Sequence, residues 1–290
     1  METVRSCGCK GIRSCLICER QFNISKSDLN FELQKYPSYV YCPLCDKCWP
    51  GWDIEQNKIH PDHAGESLIF PGVYIELDFL NSIEAQDLTT DLDKLPWDSS
   101  QSGRRKQNFG PKCNFKKRKL KLGAFIGFPK TTEFVQKKFD NVKLLENFQT
   151  IEQCSLEYNP ERGASIDPHI DDCWIWGERI ITVNVLGDSV LTMIPYMGPS
   201  TRYNLNYVSN FKNINLKQEN QIIVRLPMPA RSLMVLYGEA RYGWEHAVLR
   251  EDVCSRRVCL AYREFTPPYL SGGKHNDDAI EILKQASNFW

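Results

Sequence analysis

Apolar and polar residues alternate with a period of two along much of the second half of this chain. Gln153 to Tyr158, Glu178 to Leu186, Val190 to Ile194, Gln221 to Leu226, Ser232 to Tyr237 and Arg257 to Phe265 each read as a short β segment. Gly, Pro and Asn turns separate them, and Leu68 to Ile75 adds an earlier strand-like run. Many short strands of this kind predict a double-sheet jelly roll. Helical spacing is confined to two places. After Asn81, a residue suited to an N-cap, Glu84 supplies first-turn acid, and Ile83, Leu88, Leu92 and Leu95 mark an apolar stripe. The tail from Asn276 carries Ala279, Ile280, Ile282 and Leu283 at helical spacing. The expected class is mainly β with flanking helices (α+β), with a jelly-roll domain over residues 65–275 and a helical tail over 276–290. An Asn-rich insertion, Met197 to Asn220, is expected to be a mobile surface loop, with folding over the candidate site as the alternative.

Residues 1–64 break this pattern. They are poor in aliphatics and hold seven of the twelve cysteines: Cys7, Cys9, Cys15, Cys18, Cys42, Cys45 and Cys48. So short a module builds little core, and a structural metal supplies the missing stability. Cys-x-x-Cys pairs wrap one ion across a tight turn, which makes zinc the expected metal, with an iron–sulfur cluster as the alternative. His60 and His63 bring the donors to nine, enough for two tetrahedral sites, although a histidine pair in an exposed loop also fits no metal at all. The remaining cysteines are scattered and read as ordinary thiols.

Charge and hydropathy then narrow the class. The 36 basic residues balance the 36 acidic ones, which argues against a protein dominated by polyanion binding. No run of 18 apolar residues is present and the N-terminus lacks an apolar signal core, so the expectation is a monomer of the cytoplasm and nucleus with no membrane partner. One segment departs from neutrality. Residues 104–121 hold nine basic residues and no acid, with Phe109 and Phe115 interleaved. Such a run suits phosphates and stacked bases, an acidic protein surface, or plain solvation.

The candidate chemistry lies in His169-Ile170-Asp171 and, much later, His246. Alternate residues of a strand share a face, so His169 and Asp171 can reach one metal. Two imidazoles and a carboxylate form the facial triad of non-haem Fe(II), which leaves positions open for other ligands. Zinc accepts the same three donors. The following run, Arg257 to Arg263, places both arginines on one face and Val258, Leu260 and Tyr262 on the other. Buried arginines need an anionic partner, and a guanidinium fork suits a carboxylate.

These residues resemble the AlkB family of Fe(II)/2-oxoglutarate dioxygenases. That family carries His-x-Asp, a distal His and Arg-x-Asn-x-Thr-x-Arg; here the last motif reads Arg257-x-Cys259-x-Ala261-x-Arg263. Upstream, Tyr158, Gly163 and Ile166 match in part, while Leu156 stands where the family has Asn. The runs around Cys7 to Arg20, Ser102 to Gln107, Pro160 to Gly163 and Trp174 to Arg179 resemble one animal branch of the family. The resemblance implies a double-stranded β-helix with Fe(II) on His169, Asp171 and His246. It implies O2 and 2-oxoglutarate as cosubstrates. Arg257 would take the distal carboxylate of 2-oxoglutarate, Tyr158 would add a hydrogen bond, and Arg263 would serve its other end or the substrate. Arg104, Arg105, Lys106 and Phe109 fall where the family has a substrate lid. The implied activity is demethylation of monomethyl-lysine on actin, regulating actomyosin, with N6-methyladenine in DNA as the alternative. A non-catalytic binding module and a zinc hydrolase are the readings from other classes.

Overall fold

The structure is a computed structural model that describes residues 5–208 and 221–290. Two sheets face each other. The smaller holds β1 (Ser38–Cys42), β2 (Lys47–Pro50), β9 (Ile166–His169), β11 (Ser189–Pro195), β12 (Ile223–Met228) and β14 (Trp244–Val248), in the order β2-β1-β12-β11-β14-β9. The larger holds β3 (Val73–Glu76), β4 (Asp98–Ser99), β5 (Arg105–Phe109), β8 (Glu152–Tyr158), β10 (Trp176–Leu186), β13 (Ser232–Leu236) and β15 (Arg257–Phe265), in the order β3-β13-β10-β15-β8-β5-β4. β6 (Lys112–Asn114) and β7 (Lys119–Lys121) form a separate hairpin. This is the mainly β jelly roll with flanking helices that the periodicity predicts.

Alternation along the larger sheet sorts its side chains into two cores. Val258, Leu260 and Tyr262 of β15 pack with Ile181, Val183, Leu233 and Val235 under α3 (Ser82–Lys94) and α4 (Glu133–Lys138). Helix α3 begins with the expected cap: Asn81 accepts from Glu84 N–H, and the Glu84 carboxylate accepts from Asn81 N–H. The opposite face of the sheet, with Tyr158, Trp176, Ile180 and Cys259, joins Met193, Val224, Leu226 and Val248 of the smaller sheet in the inter-sheet core. The tail forms α6 (Asn276–Gln285), whose Ala279 and Ile282 enter that same core. Three shorter helices complete the fold: α1 (Leu16–Phe22), α2 (Leu29–Leu33) and α5 (Gly238–Tyr242).

Two expectations change. Residue 64 does not separate two bodies, because β1 pairs in parallel with β12 (Ser38 opposite Ile223) and β2 pairs with β1. The sheet edge offers backbone partners that a short Cys-rich segment cannot supply for itself. The insertion is also not simply a surface loop over its described part. Tyr203 C=O accepts from Cys173 N–H, Asn204 donates to Asp172, and Leu205 is fully buried beside Ile170, Cys173 and Tyr242. Its remainder, residues 209–220, lies outside the described residues.

Candidate metal and cosubstrate site

Antiparallel pairing of β14 with β9 puts His246 directly across from His169. Their ring centroids are 4.3 Å apart. The chain leaves β9 at His169, so Asp171 sits two residues beyond the strand rather than on it. Its carboxylate still comes within 4.0 Å of His169 Nε2, and one donor atom from each of the three residues lies within 4.8 Å of the others.

Protonation favours metal binding. Burial keeps both imidazoles neutral by pushing their pKa values down, that of His246 most. Burial alone would raise Asp171, but the Arg263 guanidinium beside it outweighs burial and holds the carboxylate well below its usual range. His169 Nδ1 lies 2.9 Å from Asp167 C=O; donating there fixes the tautomer with Nε2 free for a metal. A neutral, neutral, anionic set with open faces suits Fe(II).

Arg263 stands beside the triad and is paired there. It grips Asp171 through Nε and Nη2, both at 3.1 Å, and Glu152 through Nη1 at 2.6 Å. With its fork shared between two carboxylates, it orients Asp171, the carboxylate of the triad. Arg241, unremarked in the sequence, braces the same loop from below: its buried guanidinium donates to the carbonyls of Asp171, Trp176 and Gly177.

Arg257 differs. It is 1% exposed, its Nε donates to Asn184 Oδ1 at 2.8 Å, and it lies 4.7 Å from the Tyr158 ring centre. Its Nη1 is buried without a hydrogen-bond partner. A buried cationic donor left unpaired is costly unless an anion completes it. The carboxylate of a 2-oxo acid fits that donor in chemistry and charge. Asn184 does the anchoring, and it stands on β10, away from Leu156, where the family pattern places its Asn.

Three of the four lid candidates, Arg105, Lys106 and Phe109, are residues of β5. Arg105 points outward and makes a bidentate pair with Glu157, which Arg256 also contacts. Lys106 turns to the other face, toward Glu152 and Cys154. Phe109 rests against Trp290. The strand that carries them lies between β4 and β8. Arg104, just before the strand, does reach the site, 5.9 Å from the Tyr158 ring centre. The β6–β7 hairpin brings Lys117, Arg118 and Lys119 to a cavity of about 470 Å³ beside Trp174, Tyr207 and Tyr269.

In the N-terminal segment, Cys7, Cys9, Cys15 and Cys18 bring their sulfurs within 4.8 Å of one another. The cluster packs on the β9 side of the iron site: Glu19 forms a double hydrogen bond with Arg250, and Lys26 pairs with Asp167 at 2.8 Å. Cys48 stays apart. Its backbone bridges to Leu68 and its fully buried side chain belongs to the inter-sheet core, so the expected role as a metal ligand does not hold.

No family model matches the chain. Curated relatives do. A Homo sapiens protein named alpha-ketoglutarate-dependent dioxygenase alkB homolog 4 is 40% identical over 99% of this chain and 95% of its own length. The chain belongs to the AlkB family. A Mus musculus protein of the same name is 39% identical over the full chain, and a Caenorhabditis elegans protein named DNA N6-methyl adenine demethylase is 32% identical over 93% of it. This AlkB-family protein is an Fe(II)- and 2-oxoglutarate-dependent dioxygenase that acts as a demethylase.

Proposed function

We propose that the enzyme removes the N-methyl group of monomethyl-lysine in actin, with His169, Asp171 and His246 as iron ligands and Arg257 as the clamp for 2-oxoglutarate. The observation that carries the assignment of roles is the buried, unpaired Nη1 of Arg257 in a core that also holds the His–Asp–His triad. When bound, iron with O2 and 2-oxoglutarate supplies oxidation of the N-methyl carbon, which leaves as formaldehyde while the cosubstrate becomes succinate and CO2. The chain's own residues do the rest. Arg257 holds the distal carboxylate, Tyr158 packs beneath the guanidinium, Arg263 orients Asp171, and the two-sheet core keeps water from the clamp.

The lysine reading is supported by the wall beside the metal loop. Trp174, three residues after Asp171, meets Phe115 and Tyr269 edge-on at 6.4 and 6.0 Å, next to the Asp172 carboxylate. Aromatic faces and a carboxylate suit a methylated ammonium. A second reading, N6-methyladenine in DNA, is favoured by Lys117, Arg118, Lys119 and Lys274 around the adjoining aromatic cavity, a setting for phosphates and a stacked base. Cys7, Cys9, Cys15 and Cys18 fit a structural zinc, being four thiolates around one point.

Succinate and formaldehyde release, with monomethyl-lysine actin and N6-methyladenine DNA offered in parallel, tests the reading. Turnover of actin that is absent in His169→Ala supports it. Turnover of the DNA alone replaces it with the second reading.

A further inference from the structure

A second group of donors lies in the N-terminal segment and takes no part in the chemistry above. Cys42 ends β1, Cys45 sits in the turn before β2, and His60 and His63 follow the 3-10 helix Ile54–Ile59. One donor atom of each lies within 4.8 Å of all the others. Cys42 Sγ and His60 Nδ1 are 3.8 Å apart. Tetrahedral zinc with two sulfurs and two nitrogens has donor–donor edges of about 3.3–3.8 Å, from bond lengths of about 2.3 and 2.0–2.1 Å. The four side chains are therefore nearly closed around one point already.

Their surroundings point the same way. His63 Nε2 is buried without a hydrogen-bond partner. The Trp49 indole N–H donates to Cys45 Sγ at 3.4 Å, the kind of support a metal-bound thiolate receives, and the Trp49 ring stacks on His63 at 4.7 Å between centroids. Cys48, although spaced like a third ligand, is turned away into the core.

We propose that Cys42, Cys45, His60 and His63 hold a structural zinc ion, distinct from the four-cysteine cluster and from the iron site. Two sulfurs and two imidazoles in a tetrahedron select zinc over harder cations. A two-iron cluster with mixed ligands would put its thiolates on one iron and its imidazoles on the other, whereas here sulfur and imidazole nitrogen are in contact. The site ties the β1–β2 hairpin to the loop after the 3-10 helix, and so secures the strand that extends the smaller sheet beyond β12. Three strand spacings, about 14 Å, separate β1 from β14 and its iron ligand.

Zinc per chain, measured by mass spectrometry on the purified full-length protein, tests the assignment by difference. His63→Ala and Cys45→Ser each lose one equivalent relative to the unaltered protein, while Cys48→Ala loses none. His63→Cys keeps the ion, and after cobalt exchange its thiolate-to-metal absorption rises by one thiolate's share. An unchanged zinc count in His63→Ala, or a cobalt spectrum indifferent to His63→Cys, overturns the proposal. The difference is read without any substrate and does not depend on what the four-cysteine cluster binds, so it stands or falls apart from the demethylase reading.

Discussion

The two ends of β15 carry the same residue type on the same face, yet the protein uses them in opposite ways. At one end Arg263 is fully engaged by Asp171 and Glu152. At the other, Arg257 is anchored at Nε by Asn184 and leaves Nη1 buried and unpaired. Burial of a guanidinium therefore says little until its donors are counted. A satisfied fork is a positioning group, while an unsatisfied one is a binding site for an anion.

Substitutions separate the roles of the two arginines at several strengths. Asp171→Ala removes the object of one arginine and an iron ligand together. Iron retention should be lost, and turnover should fall about 10³-fold or more, given the several kcal/mol a metal contributes to charge stabilisation. Iron retained at full stoichiometry would exclude Asp171 as a ligand.

Arg257→Met should raise the KM for 2-oxoglutarate about 10- to 150-fold, the equivalent of about 1.5–3 kcal/mol for a charge-assisted pair. Iron half-saturation should stay put. Arg263→Met should give the mirror image: iron affinity weakens about 10- to 100-fold as Asp171 loses its brace, with a smaller change in cosubstrate KM. If both variants shifted the same constant, the division between the two ends would be wrong.

The outward face of the neighbouring β8 offers the weakest perturbation. Glu157 is buried between Arg105 and Arg256; burial would raise its pKa, but the two arginines hold it below the usual carboxylate range. Because the folded pKa is depressed, its contribution to stability is complete above the unfolded carboxylate pKa and is lost as pH falls through the folded value. Glu157→Gln should cost about 1–2 kcal/mol at neutral pH, since both half-exposed arginines regain water, and should flatten the acid limb of a stability–pH curve. Neither iron affinity nor 2-oxoglutarate KM should move.

What could be read from the sequence was local in origin. The period-two pattern of Arg257 to Arg263 places both arginines inward and Val258, Leu260 and Tyr262 under the helices, as the structure has them, because the pleat sets that alternation residue by residue. The capped helix after Asn81 and the tail helix depend on nearest-neighbour chemistry in the same way. Tertiary structure decided everything that joins distant segments. Strand register sets His246 opposite His169, and only the folded loop brings Asp171 to them. Nothing in the spacing of Cys42, Cys45 and Cys48 shows that the third sulfur turns into the core and that two histidines take its place. Asn184 and Arg241 are silent in the sequence because their value lies in a partner dozens of residues away. Short-range sterics write the elements into the chain, whereas the pairing of sheets, which depends on the summed burial of many residues, chooses which side chains meet.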